Sequence, residues 1–450
     1  MDTTYATTGF TSKGDGTDYD DDVLRGGIGG SGGSGQEDVV HQVIYRAKTP
    51  STTTDRIRLS STSAFTGHIQ ALTVCTVTDG PEPLYFPDDG LCDFVFFHSL
   101  GVSHKNNDFA VQRQSAAVHS FVKQGQAGQR TRYGMSVSFS DAENFSNAFR
   151  TPKGKADYES YWKFSVYDWG FLSIDELQVE ARQSDIIIAL TALKEVQEYA
   201  VSKNVQRPRT FLGIYPRRGP VCTKVSEYIK TIFTPTGVVV LGHLSYSDNN
   251  RSDCVIMPPV NFVDPRAQKP GIGYGHSMRD AMMAVACLWK HNVRTNMSLS
   301  VTMQARRYKL KSGIQGQPPF YSDCKTDVYE QRKTPQEICD DPDSEYSRNI
   351  NYDDTFQSAI TYDHAGGFAI TFENRMSLRE KICDTWTPTA KEIRLGLAVY
   401  NVNYDRRSTK CDHAWINGTW SRFRFLLRLR DFLHQDHTET NISPDCISVP

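Results

Sequence analysis

From Ile69 onward, short apolar runs alternate with longer amphipathic stretches. The runs with strand character are Ile69–Val77, Asp93–Phe97, Gly134–Phe139, Phe171–Val179, Thr210–Ile214, Gly237–Leu244, Met297–Met303 and Leu395–Val402. Between them, apolar residues recurring every three or four positions predict helices, most clearly at Asp185–Val201, Cys222–Phe233, Ser277–Lys290 and Trp420–His434. In the last of these, Phe423, Leu426, Leu427, Arg430 and Leu433 share one face, which should lie against the core. This alternation predicts a parallel α/β architecture. The strand candidates suit a closed (β/α)8 TIM barrel, a fold that takes ~250 residues and up to roughly 400 with insertions. Periodicity alone also allows an open doubly wound sheet. The chain has no GxGxxG and no Walker loop, which removes the commonest reasons for such a sheet.

Two stretches break the pattern. Residues 1–64 hold the acidic run Asp18–Asp22, the glycine-rich Gly26–Gly35 and a Ser/Thr-rich segment. Such a composition cannot bury enough apolar surface to offset its ordering entropy, so a disordered tail is expected there. Tyr19 among aspartates offers a second reading as a sulfation or docking element. Residues 309–361 carry no barrel pattern and hold Cys324 and Cys339. The barrel would then occupy residues 65–446.

Composition narrows the function classes. Fifty basic residues face 52 acidic ones, for a net charge of −2, so there is no field to steer nucleic acid. No stretch approaches the ~18 apolar residues of a membrane span. The ten cysteines are even in number and contain no CxxC pair. That favours disulfides in an extracellular protein over zinc or a redox site. Sequons at Asn144, Asn250, Asn296 and Asn417 point the same way; a fifth, at Asn441, is compromised by Pro444. Met1–Phe10 has neither a cationic flank nor an apolar core, so it does not read as a signal peptide. A processed chain, a truncated one and a domain of a longer precursor remain alternatives. The twelve histidines form no ligand spacing, so no metal or cofactor is expected; His243 and His413 read as core and surface residues.

The segment Trp169–Val179 (WGFLSIDELQV) resembles the fourth strand of glycoside hydrolase family 18, ordinarily G-F-D-G-I-D-I-D-W-E. Tyr161–Trp169 then resembles the end of the preceding helix, and Ile186–Val196 the helix that follows. Further motifs stand in family order: Leu72–Cys75 and Gly90–Phe94, Gly237–Asp248 for the M-x-Y-D segment, and Ser277–Tyr308 ending where the family has Y-G-R. Phe368–Lys381 resembles Y-D-x-x-S-x-x-x-K, and Gly396–Asp405 with Cys411 resembles the closing G-x-M-V-W-x-x-D-x-D-D…C. Residues 71–434 are covered, and the pattern of departures resembles secreted chitinase-like proteins of arthropods such as ticks. The resemblance also implies that residues 309–361 form a small α+β insertion between the seventh and eighth strands, walling one side of the sugar groove.

The resemblance implies a hydrolysis in which the substrate's acetamido group is the nucleophile and the protein supplies a general acid of raised pKa. Asp, Asp and Glu at i, i+2 and i+4 share one face of the strand. Here those positions read Asp175, Leu177 and Val179. Valine and leucine exchange no proton, and losing a positioned acid alone removes ~10² to 10⁴-fold of rate. A pseudo-enzyme would follow, without catalytic residues. Rescue by Glu180 would need a bulge to rotate it inward and a substitute for Leu177.

The resemblance also implies a half-kept sugar groove. Tyr246, Asp248 and Arg306 are candidate ligand contacts, and Tyr400 stands in for the floor tryptophan. The third strand's S-x-G-G becomes Ser136–Phe139, adding bulk where sugar would sit. These residues could equally serve packing alone. By family layout, disulfides are expected at Cys75–Cys92 and Cys383–Cys411. A local pairing of Cys324 with Cys339 is expected within the insertion. Connectivity of Cys222, Cys254, Cys287 and Cys446 is not readable from sequence. The function expected is a non-catalytic, lectin-like secreted barrel binding chitin or N-acetylglucosamine oligomers. The alternatives are an active glycosidase using Glu180, and a scaffold for a protein partner.

Overall fold

The computed structural model describes residues 69–80, 84–102, 108–173, 183–205, 208–216, 219–245, 253–311, 316–325, 335–405, 418–435 and 442–449. The expected tail, 1–64, lies outside them. Among the described residues eight parallel strands close into a barrel: β1 (Thr73–Val77), β2 (Phe94–Leu100), β3 (Arg132–Ser138), β4 (Val166–Ser173), β5 (Thr210–Ile214), β6 (Gly237–Val240), β7 (Asn296–Thr302) and, after an insertion, β13 (Gly396–Tyr400). The ring runs β1-β13-β7-β6-β5-β4-β3-β2. This is the TIM-barrel architecture expected from the alternation.

Both faces of such a sheet are covered, so the strands read as nearly continuous apolar runs. Leu72, Phe94, Phe96, Leu172, Phe211, Val239 and Tyr400 fill the interior. Val95, Met135, Trp169, Phe171 and Leu212 point outward to the helices. Gly134 is required by this filling, because a Cβ there would come within 2.4 Å of the Phe96 ring.

The predicted helices form at Gln183–Ser202, Pro220–Thr231, Met278–Lys290 and Ser421–Leu433. Ser277 caps the third by accepting from the Asp280 amide. A disulfide between Cys222 and Cys287 ties the second to the third. The fourth strand differs from expectation. It begins at Val166, so residues read as a helix end are already in the sheet. The charge of Asp168 hid the strand: it lies buried near the start of β4, held bidentately by Arg132 at 2.7 and 2.8 Å and by the Arg209 amide.

The insertion forms an antiparallel sheet of order β10-β11-β12-β8-β9, built from β8 (Arg306–Leu310), β9 (Cys324–Lys325), β10 (Asn351–Asp353), β11 (Ser358–Asp363) and β12 (Phe368–Phe372). It therefore takes in residues on both sides of 309–361. Its core gathers Ile256, Tyr274, Tyr308, Phe320 and Ile360.

Cys75–Cys92 is a disulfide, as expected. The other two expected pairings are corrected. Cys383 pairs with Cys446, not Cys411, because the helix Ile442–Ile447 packs on Arg375–Thr385 and brings the two Cα atoms to 5.7 Å. Cys324 pairs with Cys254, not Cys339, because its amide donates to the Cys254 carbonyl at 3.0 Å. Cys339 is itself disulfide-bonded; Cys411 lies outside the described residues.

Candidate functional site

In barrels of this class the chemistry sits at the C-terminal ends of the strands. There β2 supplies His98, the turn after β5 Tyr215, the turn after β6 His243, and β13 Tyr400, with His276 placed just before the helix Met278–Lys290. Tyr400 is the hub. Its hydroxyl donates to the Leu172 carbonyl at 2.8 Å across the barrel. Its ring meets His243 at 4.3 Å and His98 at 5.4 Å between centroids. Tyr400 is 0% exposed, so it offers no open face in this structure. The expected stacking floor is instead a brace between opposite strands. Phe139, on the rim after β3, packs on Phe171 at 5.9 Å and touches the interior cluster.

His243 is buried beside this brace. Its Nδ1 lies 2.7 Å from Ser300 Oγ, which also accepts the Gly242 amide at 2.9 Å. Its backbone carbonyl meets His276 Nδ1 at 3.1 Å. The His276 ring packs against Tyr215 at 4.3 Å, and the Tyr215 hydroxyl donates to the Gly275 carbonyl. Burial holds the His243 imidazole well below the usual histidine range, and the nearby His276, His98 and Arg306 push the same way. Burial also raises the Tyr400 phenol far above its ordinary value, so it stays protonated. Among the described residues no group of three potential ligands could hold a metal ion.

Arg306 opens β8 and is buried, with Nε donating to the Tyr308 hydroxyl at 2.9 Å; that hydroxyl donates on to the Met257 carbonyl. The other expected site residues, Asp175, Leu177, Val179, Tyr246 and Asp248, lie outside the described residues, as does Glu180. β4 carries a register shift just before them: Val137 pairs with Phe171 but Ser138 with Ser173. Of the sequons, Asn144 is partly exposed on the helix Ala142–Phe149. Asn296 is corrected as a glycan site: its buried side chain accepts from the Gln70 amide and donates to the Thr236 carbonyl, at 2.9 and 2.8 Å. Asn250 and Asn417 are outside the described residues.

Sequence reasoning missed the supports behind the mouth. Glu373, which follows β12, and Lys381 form a fully buried ion pair at 2.8 Å through both carboxylate oxygens. Glu373 also accepts the Val260 amide. Arg422, at the start of the last long helix, binds Asp405 and donates to the carbonyls of Glu373, Met303 and Tyr404. Glu373, Lys381 and Asp405 fall within the motifs that resemble the family, which was the available signal. Arg422 sits at an apolar-face position of its helix and gave none.

No family model matches the chain, and no curated protein matches it. Solved structures do. A mutant class V chitinase from Nicotiana tobaccum in complex with NAG4 superposes with a TM-score of 0.54 at 14% identity, covering 79% of this chain and 99% of that one. A chitinase-like agglutinin from Robinia pseudoacacia gives 0.51 at 11%, covering 81% and 100%. A family GH18 chitinase from Cycas revoluta, complexed with allosamidin, gives 0.51 at 15%, covering 74% and 96%. The chain thus shares the fold of family 18 chitinases and chitinase-like proteins.

Proposed function

We propose that this chain is a secreted, non-catalytic, chitinase-like barrel that binds N-acetylglucosamine oligomers without cleaving them. The observation that carries this reading is the charge at the mouth. Among the described groups that act on buried His243, Arg306 is a permanent cation, and His276 and His98 add positive charge only when protonated; all push toward the neutral imidazole. A cationic field favours the ionised form of any nearby carboxyl and so lowers its pKa, whereas a family 18 acid needs it raised. Rescue by Glu180 would still need a bulge to rotate it inward and a substitute for Leu177. The strand positions that would hold the acid and its neighbour read Val179 and Leu177, which agrees.

Binding without turnover suits the hydrogen-bonding groups gathered there, and one protein sharing the fold is an agglutinin. The four described disulfides agree with an oxidising compartment. No helix among the described residues is long and apolar enough to cross a membrane. One observation favours a second reading, a scaffold for a protein partner: Tyr400 is wholly covered and has no face free for a sugar ring. Calorimetric titration with N-acetylglucosamine tetramer separates the two. Saturable heat that Arg306→Ala weakens supports the lectin-like barrel; no heat with any chitooligosaccharide supports the scaffold.

A further inference from the structure

We infer that acidification loosens the barrel mouth through His243, whose buried ring cannot take a proton in the arrangement observed. The argument starts from what surrounds that ring. From β13 the uncharged phenol of Tyr400 lies against it at 4.3 Å, and on the far side of Tyr400 stands His98 of β2. From β7 comes Ser300, an uncharged hydroxyl. From the loop before the helix Met278–Lys290 comes His276, bonded to the His243 carbonyl. From β8 acts Arg306, a permanent cation. Among the described residues, none of these groups supplies the negative charge that a buried imidazolium needs.

The hydrogen bonding adds a second obstacle. Ser300 Oγ already accepts the Gly242 amide, which leaves the hydroxyl proton for His243 Nδ1. Protonation at Nδ1 would turn that acceptor into a donor and displace the Ser300 hydroxyl proton from its partner. The proton is therefore gained only when the ring reaches water.

The sign follows. In the closed mouth His243 titrates below the usual histidine range. In an opened mouth it titrates near ~6.5. The open form then binds more protons, so opening is favoured as pH falls through the open-state value. For one such group the open population should rise about tenfold between pH 7.5 and pH 5.5. This inference concerns the unliganded chain and does not depend on whether a sugar binds.

Hydrogen exchange of the full chain, corrected for intrinsic rates, tests it on peptides spanning 237–245 and 396–405. The expected result is about tenfold faster exchange at pH 5.5 than at pH 7.5 in both peptides. His243→Gln, which keeps a side-chain partner for Ser300, should abolish the difference. Equal protection at both pH values, or a tenfold rise that persists in H243Q, would overturn the inference. A variant that fails to fold leaves a second measurement on the native chain, the ring resonances of labelled histidines. The His243 signal should still be neutral at pH 6.5, where an exposed imidazole is half protonated; a midpoint there would refute the proposal.

Discussion

Lys381 is a single residue whose charge can be buried only because its partner is buried with it. Its ammonium and the Glu373 carboxylate are both fully buried, and burial drags the lysine below its ordinary pKa even though Glu373 opposes the shift. A buried pair of this kind adds little net stability over a hydrocarbon substitute, but losing one partner strands the other charge. Lys381→Met should therefore destabilise the chain by about 3–5 kcal/mol. The double variant Glu373→Gln/Lys381→Met should recover part of that loss, since no unpaired charge remains. Urea unfolding of both variants checks the prediction. A single variant no less stable than the double would contradict it.

At the scale of elements, the barrel was largely legible, because the period of apolar residues is set by the same two-sided burial that builds the sheet. Each predicted strand overlaps an observed one, and the four clearest helices agree to within two or three residues at their ends. What escaped was set by contacts distant in sequence. Asp168 fits inside β4 only because Arg132, distant in sequence, binds it. Arg422 can occupy an apolar-face position because it donates to the carbonyls of Glu373 and Met303. Tyr400 could be placed at the mouth from sequence, but not its burial under His98 and His243. Cysteine pairing failed for the same reason: Cys383 meets Cys446 through helix packing that no local pattern records. That bridge closes a separation of 63 residues, and its loss should cost about 4 kcal/mol in the chain-entropy account. Mapping of unreduced peptides should link the Cys383 peptide to that of Cys446, and Cys446→Ser should unfold at lower denaturant. A Cys383–Cys411 peptide instead would contradict the assignment.

The whole molecule combines a barrel fold shared with solved chitinases and a mouth closed over by its own side chains. Helices, disulfides and the insertion sheet hold the strand ends in place. At those ends stand imidazoles, phenols and a guanidinium, braced by the Tyr400 bond to Leu172. Such a mouth can donate hydrogen bonds to a hydroxylated or amide-bearing ligand. On the reading proposed above, it does not keep a carboxylic acid protonated at neutral pH. Incubation of the purified chain with N-acetylglucosamine tetramer, followed by mass spectrometry of the products, tests this most directly. The tetramer should remain intact over days at pH 5 to 8. Shorter oligomers that appear with the native chain and vanish with Glu180→Gln would contradict the account.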